Sequence, residues 1–270
     1  MDRDEIIMKR LQEHYDYIKD KYEVVGLFLQ GSQNYGLDEY SEDYKSDIDS
    51  KAIIIPTFED FILGKEPVSK TIVLDNEEHI DVKDIRVMFS MFKKANISYI
   101  ELLYTNYRIV NEKYADIVSY LRGIRDDIID YPRLFKAVYG MTLEKRKALC
   151  HPYPTTKWKI DKWGYDGKQL CHLMRLFFFL CALDDRGELT KDVYYPAQDI
   201  AEDLIIVKKN KLDAPFDMVL KTADDFCAWT KELVDKMLEK EWKEPKLELL
   251  DELLIKVLRM YFKEDILGNE

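Results

Sequence analysis

Within the run GSQNYGLDEYSEDYKSDID, Gly31 to Asp49, a Gly-Ser turn precedes two aspartates one residue apart. A turn at Gly31-Ser32 would expose backbone N–H groups to an anion, and the Ser32 hydroxyl could cap a following helix or hold a phosphate oxygen. Alternate residues of a strand project from one face, so Asp47 and Asp49, at the head of an apolar run ending at Ile55, can converge on one cation. Hard carboxylate oxygens suit magnesium or manganese. A third carboxylate is expected at Asp81, between Ile80 and Val82, where an ionised group needs a cationic partner to offset its lost hydration. Three carboxylates beside a phosphate-binding turn suit two-metal phosphoryl transfer. Glu77, Glu78 and Asp84 compete for the third place, but Asp84 stands where the next helix should start and suits a cap.

These residues need a sheet to hold them. Val24, Val25, Leu27, Phe28 and Leu29 read as a buried strand ending at Gly31-Ser32, and Ile48 to Ile55 as a second. Thr71 to Leu74 and Glu78 to Val82 form a hairpin around Asp75-Asn76-Glu77, and a further strand is expected near 107–110. Residues 2–22 read as a helix whose stripe of Ile6, Ile7, Leu11, Tyr15 and Ile18 covers the sheet, with short helices at 84–94 and 97–104. Helical patterns follow at 112–121, 132–149, 167–185, 197–209, 215–240 and 246–263, punctuated by Pro152, Pro154, Gly187, Pro196, Pro215 and Pro245. The expectation is an α/β (α+β) fold: a small mixed sheet flanked by helices over residues 1–110, then a mostly helical region over 111–270.

Gly31, Ser32, Asp47, Asp49 and Asp81 occupy the places of the Gly-Ser, Asp-x-Asp and later acidic residue of the polymerase-beta-like nucleotidyltransferases, which the chain resembles. More narrowly, Gly31, Ser32, Tyr35, Gly36, Ser46, Asp47 and Asp49 are similar to the Gly-Ser-x-x-Tyr-Gly and Ser-Asp-x-Asp pattern of a bacterial and phage branch, some of whose members are associated with RNA repair. Lys168, His172 and Arg175 match the Lys-x-x-x-His-x-x-Arg of that branch, and the likeness touches roughly two thirds of the chain. The resemblance implies a magnesium- or manganese-dependent enzyme that transfers a nucleoside monophosphate from a nucleoside triphosphate to an acceptor hydroxyl, releasing pyrophosphate. It implies that Asp47, Asp49 and Asp81 bind metal and act in catalysis, and that Gly31, Ser32, Lys168, His172 and Arg175 bind the nucleotide. One departure is a longer spacer, holding Asp38, Glu39, Glu42 and Asp43; folded over the site, it would disfavour a polyanionic acceptor.

By spacing alone, Lys168, His172 and Arg175 share one helical face, which reads either as a solvated, salt-bridged stripe or as a triphosphate contact. TTKWKIDKWGY, residues 155–165, mixes Lys157, Lys159 and Lys162 with Trp158, Trp163 and Tyr165; it reads as a packed loop between helices or as a surface that stacks on bases. Cys150-His151 and Cys171-His172 lack a second pair at zinc-binding spacing, so free thiols in a reducing compartment are expected.

The chain has 270 residues, 47% hydrophobic and 13% aromatic, enough for one substantial core or two smaller ones. No apolar run is long enough to span a bilayer, and the charged start MDRDEIIMKR is unlike a secretory signal, so a cytoplasmic location and no membrane partner are expected. Leu176 to Leu183 reads as part of a buried helix. With 52 acidic against 41 basic residues and a net charge of −11, long-range attraction of nucleic acid is weak, which leaves RNA, a small molecule or a protein as acceptor. Two other functions use the same residues: a nucleotide-binding regulatory or antitoxin-like module without efficient turnover, and a metal-dependent phosphohydrolase.

Overall fold

A computed structural model describes residues 2–39 and 46–267. Its sheet-forming part runs α1 (Arg3–Ile18), β1 (Glu23–Gln30), β2 (Asp49–Ile55), α2 (Phe58–Ile62), β3 (Ser69–Val73), β4 (His79–Asp84), α3 (Ile85–Lys93), α4 (Ile97–Ile100), β5 (Arg108–Val110) and α5 (Ala115–Gly123). The remaining helices are α6 (Tyr131–Ala148), α7 (Lys157–Trp163), α8 (Gly167–Arg186), α9 (Gln198–Lys208), α10 (Phe216–Leu238) and α11 (Glu248–Leu267).

The five strands lie in the order β3-β4-β2-β1-β5, with β2 and β4 parallel and the other neighbours antiparallel. This is a small mixed sheet flanked by helices, followed by a helical region. Strand β1 sits inside the sheet and is buried on both faces, hence its nearly continuous apolar sequence. Helix α1 starts at a capping box in which the Asp2 carboxylate accepts from the Glu5 backbone N–H and the Glu5 carboxylate accepts from that of Asp2, and the Arg3 backbone N–H donates to Asp2 as well. Its Ile7, Leu11 and Ile18 pack with Leu27, Leu29, Ala52, Ile54, Ile80 and Val82 to make the core under one face of the sheet. Helix α3 packs against β2 and β4.

The hairpin turns through Glu77 at φ 68°, and Asp84 caps α3 by accepting from the Arg86 backbone N–H at 2.8 Å. Two helices arise where sequence pattern suggests none: α2, capped by Thr57, and α7, in the stretch read as a loop. The helix expected after Gly31 is a four-residue 3-10 turn, Ser32–Tyr35, too short to develop an appreciable helix dipole.

The chain divides into two compact units: Met1–Asn34 with Glu39–Asp130 and Glu244–Glu270, and Tyr35–Asp38 with Tyr131–Lys243. Residues 111–130 therefore belong with the sheet, whereas the sequence pattern puts a division near residue 110. Helix α11 also joins the first unit, packing on α3 and α5, with Phe262 against Phe58 at 5.4 Å. In the second unit, α6, α8, α9 and α10 pack together. Gly167 opens α8 so close to α9 that a Cβ there would lie 2.1 Å from the Val207 carbonyl oxygen. Among the described residues no helix is long and apolar enough to cross a membrane.

Candidate functional site

The antiparallel register of β1 and β2 sets Gln30 opposite Asp49, so the Gly31-Ser32 turn leaves one strand beside the place where Asp47 and Asp49 enter the other. Gly31 takes φ 101°, a conformation that side-chain-bearing residues rarely adopt, and this turns the chain sharply off the sheet. Buried Gln33, in the following turn, donates from Nε2 to the Asp47 carbonyl oxygen at 2.5 Å. That bond ties the turn to the aspartate segment. Glu39 and Ser46 close the intervening loop through Ser46 N–H to Glu39 carbonyl at 2.8 Å and Glu39 N–H to Ser46 Oγ at 3.0 Å. Glu42 and Asp43, expected to crowd the site, lie outside the described residues.

Asp47 precedes β2 and is exposed; Asp49 is the first residue of the strand. The Asp49 Oδ1 accepts from the His79 backbone N–H and pairs with His79 Nδ1, both at 3.0 Å. Two residues along, the parallel register sets Lys51 opposite Asp81. The Asp81 carboxylate meets Lys51 Nζ on Oδ2 and Lys83 Nζ on Oδ1, each at 2.8 Å, and accepts from Thr71 Oγ1 at 3.3 Å. Burial would raise the Asp81 carboxyl, but the two ammonium groups outweigh it and hold the pKa below the ordinary value. Lys51 is only 2% exposed, and burial lowers its pKa against the opposing pull of Asp81. Its ammonium also lies 3.9 Å from the centre of the Tyr99 ring.

The third carboxylate expected to hold magnesium or manganese, Asp81, is thus engaged by Lys51 and Lys83. Among the described residues no group of three or more His, Cys, Asp or Glu is placed to hold a metal ion. Asp81 finds its cationic partner in lysines. Of its rivals, Glu78 faces α1: its Oε2 accepts from Arg10 Nε at 3.1 Å and Nη2 at 2.6 Å, and pairs with His14 Nε2 at 2.9 Å. Burial would raise the Glu78 carboxyl, yet these hydrogen bonds bring it down to about 2. His14 Nδ1 continues the chain to Ser50 Oγ at 2.9 Å.

In the second unit, Lys168 is exposed in the first turn of α8, and Arg175 is 5% exposed. The Arg175 guanidinium stacks 3.7 Å from the centre of the Tyr35 ring, and among the described residues its Nε and Nη1 have no hydrogen-bond partner. Burial and the adjacent Arg175 and Lys168 drive the His172 pKa well below its usual value, so the imidazole stays neutral near pH 7. In α7, Trp158 is 56% exposed, while Lys159 and Lys157 pair with Asp166 and Asp161. Those pairings spend two of the three positive charges that a base-stacking surface would use.

Lys51 and His79 are the site residues that the motif alone does not reveal. Lys51 was open to detection, being two residues beyond Asp49 and thus on the same strand face. His79 needs the β2–β4 register.

No family model and no curated protein matches the chain. Among solved structures, a nucleotidyltransferase-like protein from Exiguobacterium sibiricum 255-15 pairs with 85% of this chain and 75% of its own, at 12% identity and a TM-score of 0.30. At that distance no residue role passes from one protein to the other.

Proposed function

We propose that the protein is a nucleotidyltransferase that moves a nucleoside monophosphate from a nucleoside triphosphate to an acceptor hydroxyl and releases pyrophosphate. The observation that carries this reading is the β1–β2 register, which joins the Gly31-Ser32 turn to Asp47 and Asp49 at one end of the sheet. Gly31 lets the backbone approach a phosphate closely, and the Ser32 hydroxyl can hold one of its oxygens. Asp47 and Asp49 are the carboxylates proposed to hold magnesium or manganese, an ion that would neutralise charge on the phosphate oxygens. His79 orients Asp49 through its two contacts to Oδ1. Lys168 and Arg175 are proposed to bind the anionic triphosphate, since among the described residues the buried Nε and Nη1 of Arg175 find no acceptor and a phosphate oxygen would satisfy them. Neutral His172 can donate to or accept from a participant without adding charge.

The acceptor is RNA, a small molecule or a protein hydroxyl, in a cytoplasmic setting. Incubation with each labelled nucleoside triphosphate, magnesium or manganese, and acceptors of these three classes should release pyrophosphate and label one class. Asp47→Ala should abolish both signals while leaving the circular dichroism spectrum unchanged. Full transfer by that folded variant would refute the assignment.

A second reading, a nucleotide-binding regulatory module without efficient turnover, draws support from the lysine pairing of Asp81. Nucleotide binding without pyrophosphate release under every condition would favour it. Free phosphate or nucleoside monophosphate as the product would instead identify a phosphohydrolase.

A further inference from the structure

The nucleotidyltransferase reading places an acidic trio on one face of the sheet, yet the third member is engaged differently from the first two. Lys51 and Asp81 are register partners on adjacent parallel strands, so backbone pairing itself brings their side chains together. Lys83, two residues beyond Asp81 on the same face, closes on the other carboxylate oxygen and also donates to Ser69 Oγ at 2.9 Å. Withdrawing Asp81 to ligate a metal would leave the Lys51 ammonium buried against the Tyr99 ring, with Glu101 as the next acidic group to influence it. Leaving a buried charge without its counter-ion is strongly unfavourable. A divalent ion at Asp81 would also meet repulsion from two ammonium groups.

We infer that Asp81 is a positioning residue, the counter-ion that fastens Lys51 and Lys83 beneath the site, and not a metal ligand, so that any divalent cation of the site is held without it. This inference rests on the proposed function for the presence of any cation, but not for the role of Asp81. A ligand and a counter-ion respond in opposite ways to removal. Deleting a ligand from a metal-free acidic site relieves repulsion between carboxylates, whereas deleting a counter-ion exposes a buried charge.

The test is made on the full chain, with Mn2+ as probe, by electron paramagnetic resonance titration and thermal melting. Wild type should bind Mn2+, and Asp49→Asn should lose it. Asp81→Asn, melted without metal, should unfold roughly 5 °C or more below wild type. Because that variant can fail to fold, Lys51→Met/Asp81→Leu, which removes Asp81 together with the more deeply buried of its two lysines, is the companion; it should recover part of the melting temperature and still bind Mn2+ as wild type does. Loss of Mn2+ from the folded double variant, or an unchanged metal-free melting temperature in Asp81→Asn, would overturn the inference and leave the nucleotidyltransferase reading standing. Absence of Mn2+ binding by wild type, with and without nucleotide, would sink the metal-dependent reading; the metal-free melting of Asp81→Asn would then still decide whether Asp81 is a counter-ion.

Discussion

The two faces of the β2–β4 strand pair carry charge in different ways. Toward α1, Glu78 holds Arg10 and His14 of that helix, and His14 reaches Ser50, beside the apolar core that the helix covers on the same face. On the opposite face, Lys51, Asp81 and Lys83 are similarly locked, but the row continues through Asp49 and His79 to exposed Asp47 at the strand end. Buried ion pairs are thus common to both faces. The difference is where each leads: the first runs from buried Ser50 and His14 out to partly exposed Arg10 and Glu13 on α1, whereas the second runs towards the Gly31-Ser32 turn, where we propose that a phosphate binds. A displaced pKa, such as that of Glu78, marks structure here rather than chemistry.

The largest effects should come from removing one carboxylate from each face. Asp49→Asn should reduce pyrophosphate release by roughly 1000-fold, worth about 4 kcal/mol of barrier, with a urea midpoint close to wild type. Glu78→Ala should do the reverse, lowering stability by roughly 3 kcal/mol because Arg10 and His14 lose their shared acceptor, and leaving Mn2+ affinity near wild type. If Glu78→Ala abolished Mn2+ binding in a folded chain, the separation of the two faces would collapse.

Acid sharpens the same contrast. Glu78 is held at about 2 against an ordinary 4.5, so its contribution is complete above pH 4.5 and is lost as pH falls toward 2. That loss amounts to at most roughly 3 kcal/mol from this one group, and urea unfolding across the window should show the slope in wild type and a flatter profile in Glu78→Ala. The smallest effect is expected at His79, which orients Asp49 without being an acidic ligand. His79→Ala should weaken Mn2+ binding roughly 10-fold by titration, with little change in melting temperature.

Much of this arrangement was legible along the chain. Period and punctuation locate β1, the β3–β4 hairpin and the long helices to within a few residues, and Asp84 reads correctly as a cap, because these features depend on neighbours in sequence. The Gly31-Ser32 turn was visible, but its 3-10 form was not, since turn type depends on bonds such as that from Asn34 Nδ2 to the Leu29 carbonyl. Helix α7 has no clear apolar stripe among its lysines and tryptophans, so its pattern reads as a loop; Thr156 precedes it and Gly164 closes it in a left-handed turn.

Which residues lie on which strand face follows from the order of residues, because alternation along an extended backbone is a local property. What those residues touch is set by the fold. Strand register put Lys51 opposite Asp81 and His79 beside Asp49, and the docking of α1 gave Glu78 to Arg10 and His14. Such pairings join residues tens of positions apart, and it is the burial of the two apolar faces that selects them.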